Sequence, residues 1–97
     1  MTTTKFSLGQ IVATPGAIEA MEASGQDGAF FLDRHSSCDW GEVDAEDWQA
    51  NEQALVDGSR LLSAYTTLKG VKIWIITEAT DDEGNRAAST ILLPSDY

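Results

Sequence analysis

Three neighbouring residues, His35, Cys38 and Asp39, carry the side chains in this chain that are best suited to chemistry. If one helix ran through them, His35 and Asp39 would share a face at i and i+4, with Cys38 one turn from the imidazole. This spacing is compatible with a thiolate nucleophile and its base, or with part of a zinc site, although the chain has no second His or Cys to complete one. The structural alternative is that His35 ends a helix and bonds the Asp39 carboxylate or a backbone carbonyl.

Residues 39–57 form an acidic strip that contains no Lys or Arg. Its acids are Asp39, Glu42, Asp44, Glu46, Asp47, Glu52 and Asp57. Acids that lie about 5 to 6 Å apart on a helix imitate the charge spacing of a phosphate backbone, so such a surface competes with nucleic acid for a basic groove. We take Glu42, Glu46, Glu52 and Asp57 as candidate partner-binding residues. The alternative is that these acids only stabilise a helix N-terminus and keep the domain soluble.

The composition limits the classes of protein to which the chain can belong. Its 97 residues are enough for one small domain, and 16 acidic against 6 basic residues give a net charge of −10. That charge repels phosphate backbones and anionic lipid, so we expect neither nucleic-acid binding nor membrane binding. A single Cys, no long apolar run and a polar start without a signal-peptide core predict one acidic domain, residues 1–97, in the cytoplasm.

Local signals predict three short helices that must position these groups. Thr14-Pro15 begins the first, over residues 15–24. Asp27 caps the second, and Asp44 begins a third that ends at Gly58. Residues 38–43 have no periodicity and form a loop anchored by Trp40. Within the third helix, Trp48, Asn51 and Leu55 stand at i, i+3 and i+7, which predicts that they form its inner face.

After the third helix the hydrophobic period changes to two, which predicts strands. Residues 62–67 and 71–76 alternate around a turn at 68–70, and residues 89–93 form a third strand. The expected fold is α+β, with three short helices packed on one face of a three-stranded antiparallel β-meander formed by the C-terminal third. The N-terminal arm up to Val12 either adds an edge strand or lies on the core.

A sheet with helices on one side exposes a row of side chains on the other. Trp74 and Ile76 belong to one row of the strand at 71–76, whose other row is also apolar. Both residues are therefore candidate partner-binding residues, and a homodimer that buries this face is an open alternative.

Several segments resemble a family of small uncharacterised bacterial, plasmid and phage proteins. They are residues 6–17 (FSLGQIVATPGA), Arg34-His35 with Asp39-Trp40-Gly41, residues 61–65 (LLSAY), and residues 73–78 (IWIITE) with 90–94 (TILLP). Members are often labelled plasmid-related protein or type I restriction methylase subunit, so the resemblance implies a protein of mobile genetic elements. The connection at residues 79–88 is longer here than the short turn that members usually have.

The methylase label does not fit these residues. An adenine methylase needs a glycine-rich loop for S-adenosylmethionine and an Asn/Asp-Pro-Pro-aromatic loop that grips the flipped base. The chain has only two prolines, Pro15 and Pro94, and they are far apart. The label therefore cannot describe a catalytic subunit.

The leading hypothesis is a small, non-catalytic protein-binding module of mobile genetic elements. Its sharpest form is an inhibitor of a host nucleic-acid-binding defence complex of the restriction or CRISPR type, which the acidic strip contacts as a DNA mimic. This hypothesis requires a basic protein partner but no catalytic residue, cofactor or metal. Two alternatives remain: a small enzyme that uses His35, Cys38 and Asp39, and a homodimeric accessory protein.

The charge balance predicts that the protein does not bind duplex DNA, even at low salt. No basic patch is available to release counterions, because the Lys and Arg residues are scattered along the chain. An electrophoretic mobility shift assay checks this expectation. A salt-sensitive Kd below about 10 μM would contradict it, because that is tighter than ordinary non-specific binding.

Overall fold

The computed structural model describes residues 6–97, so part of the N-terminal arm lies outside the described residues. Its helices are α1 (Pro15–Ala23), α2 (Gly28–Ser36) and α3 (Ala45–Asp57). Its strands are β1 (Gln10–Ala13), β2 (Leu61–Thr66), β3 (Lys72–Thr77) and β4 (Ala88–Leu92), followed by a 3₁₀ turn at Pro94–Asp96. Within this part of the chain no helix is long and apolar enough to cross a membrane.

The predicted helix boundaries are confirmed by their caps. The side chains of Thr14, Asp27 and Asp44 each accept a hydrogen bond from the amide three residues further on, at 2.8 to 3.3 Å. Gly58 ends α3 in the left-handed region at φ +82°. These signals are local, because each cap satisfies an amide that the first turn of its own helix leaves without a partner.

The α+β class with three helices is confirmed, but the three-stranded antiparallel meander is wrong. The sheet has four strands in the order β1-β4-β3-β2, and β1 pairs with β4 in parallel. The N-terminal arm therefore adds an edge strand, which was one of the two alternatives. A parallel pair between the two ends of a chain leaves no turn signal in the sequence, whereas the antiparallel strands β2, β3 and β4 follow one another directly along the chain.

The three helices do not all pack on one face of the sheet. Ile73 and Ile75 of β3 are fully buried in a cluster with Met21 of α1 and Phe31 of α2. A second cluster forms around Trp40, where Ala54 of α3 meets the first residue of β2. The helices are therefore not all packed on the C-terminal strands, since α3 lies against the edge at β2.

The opposite face of the sheet carries Trp74 and Ile76, as the alternation predicted. Ile76 is buried and Trp74 is half-buried. The Tyr97 ring stands edge-on to the Trp74 ring at 5.9 Å between centroids, and Arg60 donates a 2.7 Å hydrogen bond to the Tyr97 hydroxyl. The C-terminal residue thus covers part of the row that the sequence left exposed.

The free edge of β2 is closed by groups from α3 and from the loop before it. The Asn51 side chain donates to the Leu62 carbonyl at 2.7 Å and accepts from the Leu62 amide at 3.0 Å. The Ala64 amide donates to the Trp40 carbonyl at 3.1 Å, and the Ala64 carbonyl accepts from the Glu42 amide at 2.7 Å. The Asn51 side chain and the backbone of Trp40 and Glu42 together take the place of a neighbouring strand. We call this arrangement the edge cap.

The inner face of α3 is smaller than predicted. Asn51 is buried, as expected, and Leu55 packs partly against the second cluster. Trp48 was expected in the core but is 37% exposed, while Ala54 lies in the core instead. The small alanine lets α3 approach β2 closely enough for Asn51 to reach its backbone.

Replacing Asn51 by Ala should destabilise the domain by about 2 to 4 kcal/mol, because it leaves a buried amide and a buried carbonyl of Leu62 without partners. Gln49→Ala on the exposed side of the same helix is the matched control and should stay within about 0.5 kcal/mol of the parent. Urea unfolding followed by tryptophan fluorescence measures both. Equal free energies of unfolding for the two variants would contradict the edge cap.

Candidate functional site

His35 lies in the last turn of α2, and its ring points into the core. Its Nδ1 is 2.5 Å from the Ser63 hydroxyl of β2, and its Nε2 is 2.8 Å from the Thr77 hydroxyl of β3. The side chain is fully buried. Both nitrogens of the imidazole are therefore occupied by hydroxyl groups of the sheet.

The chain of hydrogen bonds around His35 has one consistent direction. At its end, the Ser89 hydroxyl donates to the Leu8 carbonyl at 2.7 Å. The Ser89 oxygen must then accept the Thr77 proton, across 2.7 Å, so the Thr77 oxygen accepts from Nε2. It follows that Nε2 carries the ring proton and that Nδ1 accepts from Ser63. A single neutral tautomer satisfies every group.

Burial also sets the charge of this imidazole. Desolvation, with a smaller contribution from the positive charge of Arg86, lowers the pKa of His35 to about 4. The Phe6 and Trp40 rings lie edge-on to the imidazole, at 5.2 and 5.5 Å between centroids. His35 is neutral at pH 7 and enclosed by protein on all sides.

The structure does not bring His35, Cys38 and Asp39 together as a site. Because α2 ends at Ser36, the helical spacing that would align them is lost. The Asp39 carboxylate instead accepts a 2.8 Å hydrogen bond from Arg34 Nε, which holds the pKa of that carboxyl below its usual range. Cys38 has a left-handed backbone, φ +67°, and packs beside the Trp40 cluster.

The expectation that His35 bonds the Asp39 carboxylate or a backbone carbonyl is therefore wrong. Two strands, β2 and β3, supply hydroxyl partners to the imidazole, and no local pattern in the sequence could indicate them. Among residues 6–97, no group of three or more His, Cys, Asp or Glu side chains is arranged to hold a metal ion.

The acidic strip does not form one continuous surface. Glu46, Glu52 and Asp57 lie on exposed turns of α3. Glu42 instead lies in the loop before α3, where its carboxylate accepts a 2.8 Å hydrogen bond from Thr66 of β2 and lies 3.4 Å from the Lys72 ammonium of β3. These two contacts lower the pKa of Glu42. The structure thus groups Glu42 with the face of Trp74 rather than with α3.

Two of the three candidate acids on α3 also support the fold. Glu52 accepts a 2.8 Å hydrogen bond from the indole of the buried Trp40, and the Asp57 carboxylate accepts from the Ser59 amide at 2.9 Å beyond the helix end. The Glu46 side chain makes no hydrogen bond or ion pair with the described residues. An exposed carboxylate of α3 can therefore support the fold, so exposure alone does not identify a partner-binding residue.

The positive charges of the described chain form no ion pair with the acids of α3, although the pKa of Asp57 is lowered by its hydrogen bonds with Ser59 and, to a lesser extent, by the charge of Arg86. Arg34 pairs with Asp39 and Lys72 with Glu42. Arg86 is buried and donates to the carbonyls of Ala54, Ser59 and Glu78, and this burial lowers the pKa of its guanidinium. No ion pair within residues 6–97 involves an acid of α3, so the charge of that helix is not balanced by close contacts.

A surface that the sequence analysis missed lies at the other edge of the sheet. A groove of about 410 Å³ runs between β1 and the two helices α1 and α2. Its apolar lining comes mainly from Ile11, Ala13, Ile18, Met21, Leu32 and Ile91. The Thr14-Pro15 helix start indicated α1, Asp27 indicated α2, and an edge strand was one of the two alternatives for the N-terminal arm. The groove between these elements depends on the parallel pairing of β1 with β4, which the sequence did not indicate.

Comparisons with protein-family models, with curated proteins and with solved structures find no match for this chain. The resemblance to small plasmid and phage proteins is therefore not tested by them and stays a prediction.

The buried His35 predicts that stability falls as the pH is lowered from 6.5 to 4. The unfolded chain binds a proton in this window and the folded chain does not, so the free energy of unfolding decreases as the pH falls. The stabilisation that comes from the lowered pKa of His35 is fully present above the pKa of the unfolded chain. Between pH 7 and pH 5 the parent should lose about 2 kcal/mol more than His35→Gln, which keeps one donor and one acceptor.

Urea unfolding at the two pH values measures this difference, and NMR titration of the native imidazole provides a direct check. The expected titration midpoint lies near 4. A midpoint near the ordinary value of about 6.5 would show that the ring reaches solvent and would contradict its enclosure.

Proposed function

We propose that this protein is a non-catalytic protein-binding domain whose α3 surface contacts a basic protein partner. The single observation that carries the proposal is the charge of α3, whose exposed carboxylates form no ion pair within residues 6–97, while Arg34 and Lys72 are paired with other acids and Arg86 is buried. Unbalanced charge on one face gives a field that steers a partner of opposite charge.

Exposed apolar side chains on the same helix support this proposal. Val56 is 82% exposed, and Trp48 is 37% exposed although it was expected in the core. Large apolar groups surrounded by polar ones are common at protein interfaces, where tryptophan is enriched among residues that contribute most to affinity. The side chains of Glu46 and Asp47 make no hydrogen bond or ion pair within the described residues, and Glu46 is the first candidate for a partner contact.

The sharpest form of the proposal is an inhibitor of a host defence complex that binds nucleic acid. Two arguments support such a target: the net charge of −10, and the resemblance to proteins of plasmids and phages, which stays a prediction. A basic groove that accepts a phosphate backbone also accepts a helix with exposed carboxylates. The enzyme alternative gains no support from the geometry, because the imidazole is enclosed and Asp39 is paired with Arg34.

Charge removal on α3 tests the proposal against a matched control. Glu46→Gln with Glu52→Gln removes two charges and keeps the acceptor that Trp40 needs, whereas Asp82→Asn with Glu83→Gln removes two charges from an exposed turn. We expect the α3 variant to weaken binding to a purified basic partner by about tenfold and to make the remaining affinity less sensitive to salt, while the turn variant binds as the parent does.

The partner is first identified by capture on the immobilised parent after nuclease treatment, and its Kd for each variant is then measured by calorimetry. In cells, expression of the parent should raise phage plating on a strain that carries the matching restriction or CRISPR system. Equal affinity of the parent and both variants for the captured protein, with binding lost on replacing Trp74 by Ala, would overturn the proposal in favour of the sheet face.

A further inference from the structure

The edge of the sheet at β1 is open, unlike the edge at β2. The Gln10 amide donates to the Ala87 carbonyl and the Thr14 amide to the Ile91 carbonyl, so the even-numbered residues of this segment face β4. Alternation then directs the amides and carbonyls of Ile11 and Ala13 away from the sheet. No group within residues 6–97 bonds to these four backbone positions, which are those that an added strand would use.

The groove described above begins directly beside this open edge. The side chains of Ile11 and Ala13 point into it, and Ile18 of α1, which is 43% exposed, forms the opposite wall. A strand added to β1 would place every second side chain in the groove, because opposed residues of paired strands point to the same face. Backbone hydrogen bonds and an apolar groove therefore lie at the correct spacing for one extended segment.

The charge at the groove rim restricts the occupant. Glu22 and Asp27 lie at its border, and no Lys or Arg is among its described lining residues. A second copy of this chain would bring the same acids to both sides of the contact, which is unfavourable for a protein with a net charge of −10. A segment with a basic residue on either side of the apolar positions complements this rim.

We infer that the β1 edge and its groove bind an extended segment of a partner protein, with small apolar side chains at alternate positions and Lys or Arg flanking them. The segment extends the sheet antiparallel to β1. This surface is separate from α3, so the inference goes beyond the proposed function and stands or falls independently of it.

The probe is the synthetic peptide acetyl-Lys-Thr-Val-Thr-Val-Thr-Lys-amide, whose Val and Lys side chains share one face when it is extended. Amide hydrogen exchange followed by NMR measures its effect on the parent protein. Exchange at the Ile11 and Ala13 amides should slow on binding, whereas the Gln10 and Val12 amides, which already face β4, should change little. The same peptide N-methylated at both Val residues should bind at least about tenfold more weakly, because it cannot donate to β1.

Two protein variants separate the groove from the rest of the edge. Ile18→Ser removes an apolar wall and should weaken peptide binding by about tenfold. Ile11→Thr provides a second groove variant. Val12→Thr changes a side chain of nearly the same shape on the opposite face and should keep binding within about twofold. Glu22→Gln should reduce affinity and its salt dependence, while Glu83→Gln in the distant turn should change neither.

Three outcomes would overturn the inference. The first is equal binding of the plain and N-methylated peptides, and the second is unchanged affinity in both Ile18→Ser and Ile11→Thr. The third is a concentration-dependent dimer in sedimentation equilibrium whose Ile11 and Ala13 amides are protected without peptide, because the occupant would then be a second copy. Failure of the α3 variants to affect their partner would leave the peptide result unchanged, so the two proposals fail separately.

Discussion

The backbone groups at the two edges of the sheet impose the constraint on which the rest of the structure depends. Buried amides and carbonyls need partners, and a strand edge presents a row of them. At β2 the chain supplies these partners itself, through the Asn51 side chain and the backbone of Trp40 and Glu42. This requirement fixes where α3 lies and how closely the preceding loop approaches β2, where a side chain at Gly41 would collide with the Ala64 carbonyl.

The His35 network lies on the face of the same sheet that α1 and α2 cover. One imidazole connects α2 to hydroxyl groups of β2 and β3, and Ser89 continues the chain from β4 to the carbonyl of Leu8. A buried polar network of this kind is favourable only if every member is satisfied, and one neutral tautomer achieves that here. The only imidazole of the chain is thereby part of a buried network that holds the fold together.

Sequence reasoning succeeded where the physical cause is local. Thr14, Asp27 and Asp44 were identified as caps because each accepts from an amide three residues away, and the alternation in β2 and β3 follows from their own side chains. It failed where the cause is distant. The parallel pairing of β1 with β4 and the hydroxyl partners of His35 join segments that are far apart in the chain, and neither leaves a local signal.

Helix periodicity on α3 gave a mixed result for the same reason. It placed Asn51 correctly on the buried face, but Trp48 on the same stripe is 37% exposed because the edge cap, rather than hydrophobic area, determines how α3 meets the sheet. The candidate site residues on α3 were correctly expected on an exposed surface. That Glu52 also holds the Trp40 indole could not be foreseen, because the contact depends on the loop conformation.

The β2 edge of the sheet is closed by the chain itself, and the β1 edge is open. Residue-resolved hydrogen exchange of the isolated protein measures this difference between the two edges directly. We expect strong protection of the Leu62 and Ala64 amides, which the edge cap bonds, and fast exchange of the Ile11 and Ala13 amides, which face away from the sheet. Equal protection of the two pairs, or fast exchange at Leu62, would contradict this difference.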